Sequence, residues 1–393
     1  MIKINNKTMR ALWLQTNGLS RAPTGALDIM KIIKQLGFVQ LDTIQNVSRA
    51  HHHIIWSRNQ NYKEFMLDEL LKSKQNIFEH FTHDASVLPI DFYPMWQRQF
   101  ARKKQKLNSS NFYKNMPDNN ELEAIKLRIK NEGALSTHAF DSKITNKQHL
   151  WARPPHKIAL DHMWYCGELS TSHREKFIKF YDLTKNIIPK HILEQNISDD
   201  EQLNWLCMAA LERLGIGTLK EIKCFWEAAN INEVKIWAQQ TKLNSIKWQA
   251  HDGKWHDAFA LNNIEQRLEK LNPPTSRLRI INPFDPAIRD RARLKNIFGL
   301  DYKIEIFVPK EKRKWGYYVY PLLEGNKFIG RIDLKAERKK SILNVINFWQ
   351  EPNIKWNEER NKKLNTELQR LAKFANLKTL HYHEAFVRQR TMS

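Results

Sequence analysis

Gln40 and Asp42 stand two positions apart in the run Phe38-Val39-Gln40-Leu41-Asp42, which reads as a short strand. On a strand, residues i and i+2 share a face, so the amide and the carboxylate would project together while Leu41 turns into the core. A carboxylate so placed can oppose a developing cation and accept a proton from water. The amide has no useful pKa near neutrality, so its part would be to hold and orient that water. No lysine accompanies the pair as an evident Schiff-base nucleophile. A polar–apolar–polar triplet is also the pattern of any half-exposed edge strand, and the spacing alone leaves both readings open.

Other groupings carry less chemistry. His51-His52-His53 invites a metal. Neighbours one and two apart on a helix do not share a face, and no carboxylate or cysteine stands nearby at ligand spacing, so no metal and no cofactor are expected. The plainer expectation is one or two structural histidines, with His51 or His52 facing a groove. Asp333, Lys335, Glu337 and Lys339 alternate acid with base. A metal-dependent nuclease would instead need carboxylates that converge. Cys166, Cys207 and Cys224 are isolated and form no Cys-x-x-Cys pair, which points to buried small hydrophobes in a reducing cytoplasm.

The charge balance indicates the partner. Lys plus Arg number 64 and Asp plus Glu 42 in 393 residues, a net charge of +22. The pI is about 9.7 and the mean hydropathy −0.62. Such a surplus favours a polyanion. The basic residues run from Lys3 to Arg390, with groups at Arg102-Lys103-Lys104, Lys312-Arg313-Lys314 and Arg338-Lys339-Lys340. That spread suits a long groove tracking the phosphates of double-stranded DNA better than one amphipathic membrane helix. Candidate DNA contacts are Arg49, His51, His52, Arg58, Arg289, Arg291, Lys312, Arg313, Lys314 and Arg331. No apolar run approaches the roughly 18–20 residues that span a bilayer. The N-terminus lacks an apolar core with a cleavage site. The expectation is a cytoplasmic, nucleoid-associated monomer with no membrane and no obligate protein partner. A hydrophobic share of 41 %, with 13 Trp, excludes wholesale disorder.

The elements that must position these residues read as an α+β chain of repeated small units. Residues 1–105 form a first winged-helix unit carrying Gln40 and Asp42, with helices over 8–17, 25–36 (capped by Thr24) and 47–57. Residues 106–120, rich in Asn and Ser, read as a linker or exposed loop. In 121–195, Pro155 opens a helix that Gly167 ends. Two strands follow around a turn at Ser172-His173-Arg174, giving the order of a winged helix-turn-helix. Residues 196–274 repeat it, with a hairpin turn at Asp252-Gly253. From 275 to 350 the period becomes two, predicting antiparallel strands at Ile304–Val308, Tyr317–Leu323, Phe328–Leu334 and Ile342–Trp349 in a sheet or partial barrel. A closing helix with Leu364, Leu368 and Leu371 on one face falls in 351–393.

Several runs together carry a resemblance. They are Leu36-Gly37-Phe38-Val39-Gln40-Leu41-Asp42, Arg49-Ala50-His51-His52, Trp56-Ser57-Arg58, and Phe78 through Pro89. Further along come Lys157-Ile158-Ala159-Leu160, Gly167-Glu168-Leu169, Tyr181-Asp182-Leu183-Thr184, Asn282-Pro283-Phe284-Asp285-Pro286, Phe298 through Tyr302, Gly316-Tyr317-Tyr318-Val319 and Gly330 through Lys335. In this order, over about residues 8–350, the chain resembles the AlkZ/YcaQ-like winged-helix DNA glycosylases. The resemblance implies tandem winged helices and a C-terminal barrel forming a concave DNA-binding surface. It also implies hydrolysis of the N-glycosidic bond of N7-alkylated guanine, including guanines tethered across strands by nitrogen mustards, in alkylation repair. The family's catalytic motif is Gln–apolar–Gln in one branch and Gln–apolar–Asp in the other, so Gln40-Leu41-Asp42 is similar to the second, YcaQ-like branch. If crosslinks are substrates, a tethered guanine cannot swing fully out of the duplex without dragging the opposite strand, and that covalent geometry predicts a shallow, open site. Two rival readings are a non-catalytic winged-helix regulator and a metal-dependent nuclease.

Overall fold

The structure, a computed structural model, describes residues 1–108, 117–141, 153–383 and 388–390. The chain divides into two compact units. One comprises Met1–Lys63, Leu211–Leu219 and Thr241–Ser393, the other Glu64–Ala210 and Lys220–Gln240.

The first unit holds the Gln40–Asp42 segment. Its opening helix, Asn6–Thr16, begins where the Asn5 side chain accepts the Thr8 N–H. The next helix is Ile29–Leu36, shorter than the periodicity predicts. Its cap is Asp28, not Thr24, because the Asp28 carboxylate takes the Lys31 N–H at 2.8 Å. A third helix, Ala50–Trp56, is buried along its whole length.

Two sheets complete this unit. In the smaller, Ile2–Ile4 lies parallel to Asn244–Gln249, which forms a hairpin with Trp255–Ala260 about Asp252-Gly253 as predicted. Met9, Trp13, Ile246, Trp248, Ile288 and Leu294 form a common core there. The larger sheet has six strands. Leu278–Ile280, Val319–Glu324, Lys327–Glu337 and Ile342–Gln350 run antiparallel in that order. Thr379–Tyr382 and Arg388–Arg390 then pair parallel to Ile342–Gln350, so the half-barrel is mixed and not wholly antiparallel. The reason is the Glu358–Phe374 helix, a crossover that returns the chain in the same direction and buries Leu364, Leu368 and Leu371 as expected.

The predicted strand at Ile304–Val308 is a loop. Alternation there would send Glu305 outward. Its carboxylate instead folds back across the loop and accepts the backbone N–H groups of Lys314 (3.0 Å), Trp315 (2.7 Å) and Gly316 (3.2 Å). Those bonds replace a ladder.

In the second unit, Asn119–Glu132 starts with a complete capping box between Asp118 and Glu121. Pro155–Tyr165 has proline in its first turn. The wing is Leu169–Glu175 against Ile178–Leu183, and its turn lies at Lys176-Phe177, where φ is +47° and +72°. The sequence placed that turn earlier because Ser172-His173-Arg174 are polar, yet they continue the strand. Ser136 caps a single 3-10 turn, Thr137–Ala139. Most of the 106–120 segment lies outside the described residues. Asp199–Leu214, Leu219–Trp226 and Ile231–Gln240 are the three helices that precede the Asn244–Ala260 hairpin in chain order. No helix among the described residues is long and apolar enough to cross a membrane.

Candidate functional site

The site is built on the first unit around the segment following Val39–Gln40. That strand is only two residues long, so Asp42 lies beyond its end and the shared-face argument does not by itself place it. Gln40 is 7 % exposed and Leu41 5 %. Asp42 is half-buried, with its Oδ1 accepting the Ile44 N–H at 2.6 Å. This is an Asx turn, in which a carboxylate organises the backbone two residues on. The other carboxylate oxygen is not needed for the turn.

The loop beyond Asp42 is fastened to the half-barrel. Asn46 donates its side-chain amide to the Leu334 carbonyl at 2.6 Å and reaches the Tyr320 hydroxyl at 3.4 Å. The Ala336 N–H donates to the Asn46 carbonyl at 3.0 Å, and the Arg338 guanidinium donates to the Val47 carbonyl at 2.6 Å. A buried wall of aromatics lies beside it. Burial, then the neighbouring Tyr320 and the charge of Asp42, push the Tyr318 phenol well up, so it stays a neutral hydroxyl. Tyr318 donates to Asn282 Oδ1 at 3.3 Å. Asn282 is fully buried, and its Nδ2 has no hydrogen-bond partner among the described residues. Asp333 lies close to Tyr320, and burial lifts its carboxyl to about 7 against the pull of Arg313 and Lys335.

The histidine run is structural in its contacts. His52 Nδ1 lies 2.8 Å from the Tyr62 hydroxyl and His53 Nε2 3.0 Å from the Ile280 carbonyl. Burial lowers His52 to about 3, helped by Arg49, and His53 to about 4. His51 is also buried, at 3 % exposure, with its ring 4.1 Å from that of His52. Among the described residues no three His, Cys, Asp or Glu side chains gather as a metal site.

The arginines fall into two groups. Arg58 is buried and ion-paired to Asp285, with Nη2 to Oδ1 at 2.8 Å. Arg331 is 3 % exposed and paired to Glu351 at 2.7 Å. Arg291 donates to the Pro283 carbonyl at 2.9 Å and stacks on Tyr302. These three guanidiniums are occupied inside the fold. Arg49 and Arg289 are half-buried. Lys312 and Lys314 are exposed, and Arg313 lies over the Tyr317 ring at 5.0 Å. Sequence reasoning brought Asp42 and the basic loop forward, weighed Asp333 only within the rival nuclease run, and gave Asn46 and Tyr320 no role. Asn282 and Tyr318 lay in quoted runs without a role.

Residues 33–374 match the protein family described as DNA glycosylase AlkZ-like. The chain belongs to that family. The AlkZ-like match includes Gln40, Asp42, Asn46, Asn282 and the whole span from Tyr302 to Asp333. The solved structure of the Streptomyces sahachiroi DNA glycosylase AlkZ has the same fold, with a TM-score of 0.66 over 98 % of this chain and 100 % of that one, at 13 % identity.

Proposed function

We propose that this AlkZ-like chain is a monofunctional DNA glycosylase of the Gln–apolar–Asp type. It hydrolyses the N-glycosidic bond of N7-alkylated guanine in double-stranded DNA, nitrogen-mustard interstrand crosslinks included, and leaves an abasic site. The observation that carries the reading is Asp42: a half-buried carboxylate, pinned by an Asx turn, in a loop tied to the half-barrel, within the family match.

The chemistry follows from the lesion. Alkylation at N7 makes the purine a cation, so it departs without the general acid that ordinary sugar hydrolysis needs. The C1′–N9 bond breaks with its electron pair going to the purine, which leaves neutral at N7. Positive charge builds on the deoxyribose, and the Asp42 carboxylate opposes it. A water oxygen bonds to C1′ and gives its proton to Asp42. Gln40 orients that water. A neutral Tyr318 beside Asp42 adds no second negative charge. With the base still largely stacked, a tethered guanine can react without dragging the opposite strand.

The test is a duplex carrying one N7-methylguanine, incubated with the protein in EDTA and then heated in alkali. Cutting at the lesion, with unmodified strands intact, supports the reading. Binding without any cut would leave a winged-helix DNA-binding scaffold, and cutting abolished by EDTA would favour a nuclease.

A further inference from the structure

Phe307 is 92 % exposed. A single exposed aromatic is ordinary on a protein surface, but this one sits in a loop closed by its own hydrogen bonds. The Glu305 carboxylate is bonded to the N–H groups of Lys314, Trp315 and Gly316 across the loop. The Val308 N–H returns to the Glu305 carbonyl at 3.0 Å, and Arg313 Nε donates to the Val308 carbonyl at 2.8 Å. The loop's base is also closed, because the Tyr302 hydroxyl donates to the Val319 carbonyl at 2.6 Å. The loop ends on Tyr318, the phenol that feels the charge of Asp42.

Along the loop that carries Phe307, Lys303, Lys310, Lys312 and Lys314 are exposed, against two exposed carboxylates, Asp301 at its start and Glu311. The complementary surface is an apolar slot flanked by anions. A base step between two phosphate backbones has that form, and apolar side chains entering such steps unstack them.

We propose that Phe307 is a wedge that enters the base stack of duplex DNA next to the nucleotide served by Asp42, with the loop lysines on the flanking phosphates. The proposal rests on the glycosylase reading for its position and on the loop for its chemistry. It accounts for access to C1′ without full extrusion of the base, since parting one step exposes the sugar edge.

The test uses a duplex with 2-aminopurine beside N7-methylguanine whose 2′-fluoro sugar resists hydrolysis, so stacking is read without turnover. Saturating wild-type protein is expected to raise 2-aminopurine fluorescence severalfold. Phe307→Ala should abolish the rise and bind about tenfold more weakly, the loss of one aromatic–base stack. Phe307→Trp should restore both. A rise that survives in Phe307→Ala, or no rise with saturating wild type, overturns the proposal. So does Phe307-dependent binding to phosphatidylglycerol vesicles without a 2-aminopurine response. If the wild type fails to cut the unprotected N7-methylguanine duplex yet shows a Phe307-dependent rise, the wedge stands and the enzyme reading falls.

Discussion

Asn46 and Leu334 are joined by a 2.6 Å hydrogen bond from a side-chain amide to a strand carbonyl, 288 residues apart in sequence. It ties the loop that presents Asp42 to the half-barrel strand that carries Asp333. Removing the amide leaves a carbonyl without its partner and the loop with less to hold it. Asn46→Ala should cost about 1–2 kcal/mol of stability. It should also slow base release by about tenfold through lost positioning. Duplex affinity should stay unchanged, which single-turnover rates and a binding titration separate. A purely structural role would lower the melting temperature without the rate effect.

Arg58 and Asp285 are a buried pair, at 3 % and 0 % side-chain exposure. Arg58→Ala leaves a buried carboxylate uncompensated and should destabilise the protein by about 3–5 kcal/mol in urea unfolding. The salt dependence of duplex binding should keep its slope. A phosphate contact would reduce the slope by about one unit.

Acid should destabilise the fold in a defined window. Burial holds His52 and His80 at about 3 and His53 at about 4, against an ordinary 6.5. The unfolded chain takes up these protons below pH 6.5 while the folded chain does not. Their contribution is therefore full above pH 6.5 and is lost as pH falls towards 3. Near pH 5 the slope should approach about 4 kcal/mol per pH unit, three protons' worth, measurable as urea midpoints at pH 7.5, 6 and 5.

Asp333 works in the opposite sense. Its folded value of about 7 lies above the ordinary 3.8, so the folded chain keeps a proton that the unfolded chain has lost. Stability from this group is full below pH 4 and declines as pH rises to 7. Asp333→Asn should match wild type at pH 4 and exceed it at pH 8 by on the order of 2–4 kcal/mol. Equal gains at both pH values would show that packing, and not ionisation, separates the two.

Much of the architecture was legible because local signals are strong where elements are capped and periodic. Pro155 and Gly167 bracket a helix, Asp252-Gly253 turns a hairpin, and Leu364, Leu368 and Leu371 mark a buried face. What was not legible depends on distant partners. Alternation at Ile304–Val308 lost to three backbone bonds that Glu305 takes from residues nine to eleven positions away. The parallel strands after Phe374 follow from a crossover that periodicity does not reveal. At the site, type and spacing singled out Gln40 and Asp42, but the strand ends at Gln40 and an Asx turn holds Asp42. Arg58 and Arg331 stood out as candidate DNA contacts by residue type, whereas their ion-pair partners, Asp285 and Glu351, lie 227 and 20 residues away and no local pattern announces them.

The central claim is that a negative charge at residue 42 stabilises the departing sugar, and Asp42→Asn tests it most directly. Asparagine keeps the Oδ1 that accepts the Ile44 N–H, so the loop survives while the charge is lost. On an N7-methylguanine duplex under single-turnover conditions, base release should fall by about 100-fold or more while duplex affinity holds. Release at the wild-type rate would contradict the account.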